Sequence, residues 1–288
     1  MDGMRMMIFG AGGYIGSHLV ARYPDALTPK VDIADPVGVA AALEQYHPDI
    51  VVNAAGKTGR PNVDWCEDHK AETLHANVLG PLVLREACDA RGIYLVHLSS
   101  GCMYAGDNGG RGFTEDDEPN FLGSYYSRTK VWSEATLREF CAQDPGILII
   151  RPRMPFDGTL QARNLLTKLA GYATVLDEPN SFTFIPDMMD AMQALMERRA
   201  KGIFNVVNPG RMSPYDAMLR YCDIVDPTHH FERFDAQTLD SVVKAKRSNC
   251  YLSTAKLAAA GITMKPVEQA IDEALASIRQ EREKSSAA

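Results

Sequence analysis

The 288-residue sequence has no long apolar run. Its hydrophobic stretches, such as Gly146 to Ile150, are strand-sized and fall well short of the ~18 residues a membrane span needs. The amino terminus passes from Met4 to Phe9 straight into glycines, so no signal peptide is expected. Basic residues do not dominate. With 30 Lys and Arg against 37 Asp and Glu the net charge is −7, which argues against broad binding of a nucleic-acid backbone. It leaves room for one anionic ligand held by a few local cations. The six cysteines, Cys66, Cys88, Cys102, Cys141, Cys222 and Cys250, form no CxxC pair and have no histidines at metal spacing. They read as reduced cytoplasmic thiols, and no metal site is expected. Internal repeats and low-complexity linkers are also missing. Hydrophobic residues at 45% and charged residues at 23% give the balance of a globular protein, which excludes disorder and coiled coil. The length fits one large domain or two small ones.

What is present is alternation. Strand candidates at Met4 to Phe9, Asp49 to Asn53, Ile93 to Leu98 and Ile147 to Arg151 are separated by helical stretches. These run over Tyr14 to Tyr23, from Pro36 behind an Asp35 cap to Tyr46, over His69 to Ala90, and over Gly123 to Ala142. This predicts an α/β, Rossmann-type, doubly wound parallel sheet over residues 1–151. A smaller α/β substrate-binding region is expected over 152–288, with about 181–207 returning to the sheet. Helices are expected at Arg163 to Tyr172, Asp187 to Arg199, from Ser213-Pro214, and at Ser253 to Ala260. The charged tail from Arg279 is expected to fray. His229-His230 reads as a surface loop.

Gly10, Gly13 and Gly16 follow the first strand and open a helix through Tyr14 and Ile15. Glycine there permits a tight turn and lets backbone amides approach a pyrophosphate. Alone, such a turn is common; at the first strand of an alternating chain it points to a dinucleotide. Asp32 or Asp35 is the expected ribose partner, whereas Lys30 beside them suits a 2′-phosphate. This leans towards NADPH, with NADH as the alternative.

Tyr126 and Lys130 share one face of a predicted helix. An ammonium near a phenol is expected to lower the tyrosine pKa and make it a usable acid/base. Such a pair occurs often by chance. Together with the glycine turn and Leu98-Ser99-Ser100, it resembles the extended short-chain dehydrogenase/reductase family, which implies Ser100, Tyr126 and Lys130 as a catalytic trio. Asn53, Ala54, Ala55 and Gly56 match that family's element beside the cofactor, and Asn77 its helix asparagine.

Further segments run through nearly the whole chain: NAAGKTGRPNVDWCEDHK from Asn53, SGCMY from Ser100, PNFLGSYYSRTK from Pro119, RPRMP from Arg151, RNLLTK from Arg163, NPG from Asn208 and RSN from Arg247. They resemble the bifunctional nucleotide-4-keto-6-deoxyglucose 3,5-epimerase/4-reductases of rhamnose synthesis and, more distantly, dTDP-4-dehydrorhamnose reductase. The likeness departs around Thr28 to Asp35 and in the last forty or so residues. It implies a UDP- or dTDP-linked 4-keto-6-deoxyhexose substrate, with Cys102 and Lys168 as epimerase acid/bases. It also implies Thr58, Arg60, Asn62, Trp65, Arg153, Met154, Arg163, Asn164, Arg247 and Asn249 around the substrate, and a homodimer. Read without the resemblance, Cys102 is a small buried hydrophobe, Lys168 a solvated helix lysine and Arg247 a surface charge. A monofunctional reductase and a non-catalytic, NADP-binding regulatory subunit are the competing readings.

Overall fold

The computed structural model describes residues 4–60, 62–235 and 243–286; Pro61 of the GRPNVDW segment lies outside them. In chain order the strands are β1 (Met6–Phe9), β2 (Ile50–Asn53), β3 (Tyr94–Leu98), β4 (Ile147–Arg151), β5 (Pro155–Phe156), β6 (Thr174–Leu176), β7 (Thr183–Phe184), β8 (Gly202–Asn205) and β9 (Glu232–Phe234). The helices are α1 (Tyr14–Arg22), α2 (Pro36–Tyr46), α3 (Trp65–Asp68), α4 (Lys70–Leu74), α5 (Gly80–Asp89), α6 (Tyr125–Arg138), α7 (Leu165–Leu169), α8 (Ile185–Glu197), α9 (Pro214–Ile224), α10 (Ala255–Ala259) and α11 (Val267–Ser286).

β1, β2, β3, β4 and β8 form one parallel sheet in that order. Parallel strands are covered on both faces, so their residues divide between two cores. Met6, Ile8, Ile50 and Val52 pack with Leu19 of α1 and Met188 and Met192 of α8. Met7, Phe9 and Val51 pack the other way, on Leu43 of α2, Leu84 of α5 and Leu137 of α6. A third core, with Phe156, Leu166, Phe182, Met218 and Ile271, holds the carboxyl-terminal region. Beyond β1 the chain adds only a single parallel bridge, Met7 to Leu27.

Local signals explain several boundaries. Asp35 caps α2, its carboxylate accepting from the Val37 amide at 3.1 Å ahead of Pro36. Ser213 and Asp216 close a capping box at α9. The expected helix over His69 to Ala90 contains a π-turn, His75–Leu79, between α4 and α5. Pro81 has no amide to donate to the Asn77 carbonyl, and its ring would collide with that group. The tail expected to fray is helical as far as it is described. α11 continues to Ser286 because Ile278 is buried and Arg282 donates to the Tyr221 hydroxyl at 2.6 Å. Glu281 also accepts from the Leu160 amide at 3.0 Å. No helix among the described residues is long and apolar enough to cross a membrane.

Candidate active site

β1, β2 and β3 end level, with Phe9 beside Asn53 and Asn53 beside His97. Loops leaving these carboxyl ends share one crevice, the usual ligand position on a doubly wound sheet. Gly10 has φ +82°, and a Cβ there would lie 2.4 Å from the Ala55 nitrogen. A Cβ on Gly16 would lie 2.1 Å from the Gly10 carbonyl oxygen. Gly13 occupies the N-cap place of α1 without a side-chain cap, so the helix amides open onto a cavity of about 850 Å³. Gly10, Gly13, Ala54, Ala55, Gly56 and Asp32 line it, together with Val31, Ile33, Lys57, Arg60 and Arg163. Free helix amides, glycine clearance and three cations fit a dinucleotide pyrophosphate.

Asn53 serves this wall from behind. Its Oδ1 accepts from the Ala55 amide at 3.0 Å, and its Nδ2 lies 3.1 Å from Nδ1 of buried His97. Burial and the nearby Lys130 push the His97 pKa well down, which keeps the ring neutral. Tyr14 and Ile15 pack towards the sheet core. Lys30 is exposed and falls outside the cavity lining, just past the Leu27 bridge. The acids in the lining are Glu72 and Asp32, the latter 3.4 Å from His75.

Ser100, Tyr126 and Lys130 are all buried. Ser100 follows β3, and α6, capped by Ser124 accepting from the Ser127 amide at 3.0 Å, carries the other two. The Ser100 hydroxyl bonds to the Tyr126 phenol. The Lys130 ammonium lies 5.9 Å from the centre of that ring and donates to the Leu98 carbonyl at 3.4 Å. The expected depression of the Tyr126 pKa does not occur. Burial pushes it well up and Cys102 adds to this, against the Ser100 hydrogen bond. It is Lys130 whose pKa falls, to about 8, as burial disfavours its charge against Cys102 and Glu134. The tyrosine is thereby held neutral, the form that donates a proton. Asn77 ties the neighbouring loop to α6: it accepts from the Lys57 amide at 2.8 Å and donates to Thr129 Oγ1 at 3.2 Å.

The Cys102 amide donates to Ser100 Oγ at 3.2 Å, and its sulfur accepts from Arg153 Nη1 at 2.8 Å. Ser100, Cys102, Tyr126 and Arg153 are thus one cluster. Lys168 is not in contact with it. It is exposed on α7, without a hydrogen-bond or ion-pair partner among the described residues. Partial desolvation and the charge of Arg163 lower its pKa.

Several expected substrate residues also make contacts within the chain. Arg60 and Arg163 line the dinucleotide cavity, and Arg163 donates to the Gly12 carbonyl at 2.9 Å. Asn164 is buried and caps α7, its Nδ2 donating to the Asp157 and Thr159 carbonyls at 2.9 and 2.7 Å. Arg247 is held by both oxygens of Asp64, at 2.8 and 3.2 Å, which draws the Asp64 pKa down. That charge is already balanced. Asn249 accepts from Asn180 at 3.0 Å. Trp65 stacks on His69 at 3.9 Å with Lys57 5.6 Å above its ring. Thr58 and Asn62 stand on the exposed loop before it. Met154 is half-buried beside Arg153, at φ +43°.

A buried support behind the trio went unseen in the sequence. Ser99 donates to Glu134 at 2.9 Å, and Arg151 pairs with the same carboxylate. Its signal was available: Arg151 ends an otherwise apolar strand, and Glu134 lies one helical turn beyond Lys130 on the same face.

The doubly wound sheet, glycine turn and buried Ser100–Tyr126–Lys130 cluster define an extended short-chain dehydrogenase/reductase. More narrowly, the chain belongs to the RmlD substrate binding domain family, whose model matches residues 4–280. It is 37% identical over 262 residues to the bifunctional dTDP-4-dehydrorhamnose 3,5-epimerase/dTDP-4-dehydrorhamnose reductase of Arabidopsis thaliana, covering 87% of this chain and 85% of that protein. It is 34% identical over 264 residues to a trifunctional UDP-glucose 4,6-dehydratase/UDP-4-keto-6-deoxy-D-glucose 3,5-epimerase/UDP-4-keto-L-rhamnose-reductase of the same plant. That match takes in 88% of this chain but spans only 39% of the larger enzyme. Among solved structures, the UDP-rhamnose synthase of Acanthamoeba polyphaga mimivirus matches with a TM-score of 0.89 and 29% identity, over 95% of this chain and 99% of that one. The dTDP-4-dehydrorhamnose reductase of Bacillus anthracis, solved in complex with NADP, matches with a TM-score of 0.81 over 96% and 99%. At 19% identity that last likeness is one of fold.

Proposed function

We propose that this protein is a nucleotide-sugar 3,5-epimerase/4-reductase, converting an NDP-4-keto-6-deoxyglucose to NDP-L-rhamnose with NADPH, or with NADH as the alternative. One observation carries the reading. The Cys102 sulfur shares a cluster with Ser100 and Tyr126, so an acid/base for carbon stands beside a proton donor for oxygen. The bifunctional plant relative and the viral UDP-rhamnose synthase support the substrate class. The NADP-bound reductase supports the cofactor. The six free cysteines suit a reducing, cytoplasmic setting.

A keto group at carbon 4 acidifies the hydrogens on carbons 3 and 5, because the enolate spreads charge onto oxygen. Cys102 takes and returns such a proton, with Lys168 as its partner on the opposite face once the cleft closes on substrate. Ser100 and Tyr126 hydrogen-bond the keto oxygen and stabilise the enolate. A nicotinamide held in the crevice would supply the hydride for carbon 4. Tyr126 gives its proton to the oxygen, and Lys130 holds the nicotinamide ribose and balances the phenolate left behind.

The full chain, given UDP- or dTDP-4-keto-6-deoxyglucose and NADPH, is expected to consume NADPH and yield the L-rhamnose nucleotide by NMR. Turnover of only a pre-epimerised 4-keto-rhamnose nucleotide would leave a monofunctional 4-reductase. No turnover of either would contradict enzyme function in this pathway.

A further inference from the structure

Arg153 is 8% exposed and has no carboxylate partner among the described residues. The other deeply buried arginines do: Arg151 meets Glu134 and Arg85 meets Asp89. A buried cation without an anion is strongly disfavoured by desolvation. The Arg153 contacts are instead formally neutral. Its Nε and Nη2 donate to Asn180 Oδ1 at 3.2 and 2.8 Å, Nη2 also to the Ser248 carbonyl, and Nη1 to Cys102 Sγ at 2.8 Å. Its own amide is fixed on Thr183 Oγ1 at 2.9 Å. The next residue, Met154, holds a left-handed φ of +43°, a strained arrangement of the kind found where a side chain must be aimed.

The titratable groups around that guanidinium are Cys102, Cys250 and Tyr126, and Lys130 adds a second cation near the Cys102 sulfur. Burial pushes both Tyr126 and Cys250 towards their neutral forms. Cys250 also donates its S–H to the Gly101 carbonyl at 3.3 Å. Cys102 alone is only part-buried and accepts an N–H from a guanidinium.

We propose that Arg153 is the counter-cation of Cys102, a positioning residue that aims the sulfur and stabilises it as the thiolate that abstracts a proton from carbon 3 or 5. The S–H bond forms as the C–H bond breaks, and the C–H electron pair passes into the enolate. Reprotonation of the enolate from the opposite face, by Lys168 in the reading above, inverts the carbon, and the thiol then yields its proton to solvent, so no oxidant or reductant is needed. This rests on the epimerase reading of Cys102.

The test is the rate of Cys102 alkylation by iodoacetamide at neutral pH, followed by peptide mass on the full chain without substrate. Wild type is expected to react faster than free cysteine under the same conditions. Arg153→Lys should stay near wild type, and Arg153→Gln should react about tenfold or more slowly. Solvent deuterium exchange into the 4-keto sugar should fall in the same order, while reduction of pre-epimerised substrate changes less. An unchanged rate in folded Arg153→Gln overturns the pairing. Should that variant not fold, a wild-type rate no greater than that of free cysteine overturns it. If the rate depends on Arg153 yet Cys102→Ser still exchanges normally, the pairing stands and the epimerase reading fails.

Discussion

Burial acts on Lys130 and Tyr126 in a way that can be read from stability alone. The folded-state pKa of Lys130 is about 8, against 10.5 for an ordinary lysine. Above pH 8 the folded chain sheds this proton while the unfolded chain keeps it. The unfolded state then binds more protons, so stability rises with pH. Below pH 8 the desolvation penalty is fully present. Tyr126 opposes this only above about pH 10, where the unfolded phenol ionises first. Urea unfolding is therefore expected to show wild type gaining on the order of 2–3 kcal/mol relative to Lys130→Met between about pH 8 and 10. Parallel pH curves for the two proteins would contradict this. Tyr126 and Lys130 were legible in the sequence because their spacing on one helix face is local, and Ser100 through the family resemblance. Arg153 on Cys102, 51 residues apart, was not. Nor was the neutral tyrosine, since burial rather than the neighbouring lysine decides its state.

Elements carry the cofactor side. β1, its turn and α1 close to a Cβ-free distance: a methyl on Gly16 meets the Gly10 carbonyl at 2.1 Å. Gly16→Ala must therefore push α1 off the turn and misdirect its amides. Dinucleotide affinity by fluorescence titration is expected to fall more than tenfold, about 1.4 kcal/mol or more, and the thermal midpoint should drop. Unchanged affinity would remove the glycine turn from the binding account. The turn and the Asp35–Pro36 start of α2 were readable because glycine, proline and capping residues act locally. The π-turn around Asn77 was not read, although Pro81 marks it. The length of α11 was missed because its last turns are held by Tyr221 and Leu160, far away in sequence.

At the scale of the molecule, the two regions are fastened at the crevice. His18 of α1 meets Asp157 at 2.8 Å, Arg163 reaches the glycine turn, and β8 joins the sheet beside β4. The hydrophobic pattern revealed the sheet, since parallel strands are apolar on both faces, but not which polar groups cross between regions. Such crossings bring Arg163 to the glycine turn, while Lys168 stays exposed on α7. The proposed function requires one crevice to perform two separable chemistries, proton exchange at carbons 3 and 5 and reduction at carbon 4. The direct measurement pairs deuterium uptake from heavy water, by NMR, with NADPH consumption, in Cys102→Ser and Tyr126→Phe side by side. Cys102→Ser is expected to lose exchange yet reduce a pre-epimerised 4-keto-rhamnose nucleotide. Tyr126→Phe is expected to lose reduction by on the order of 10²–10⁴-fold, with slowed exchange persisting. Wild-type exchange in Cys102→Ser would contradict the claim and reduce this protein to a 4-reductase with a packed thiol.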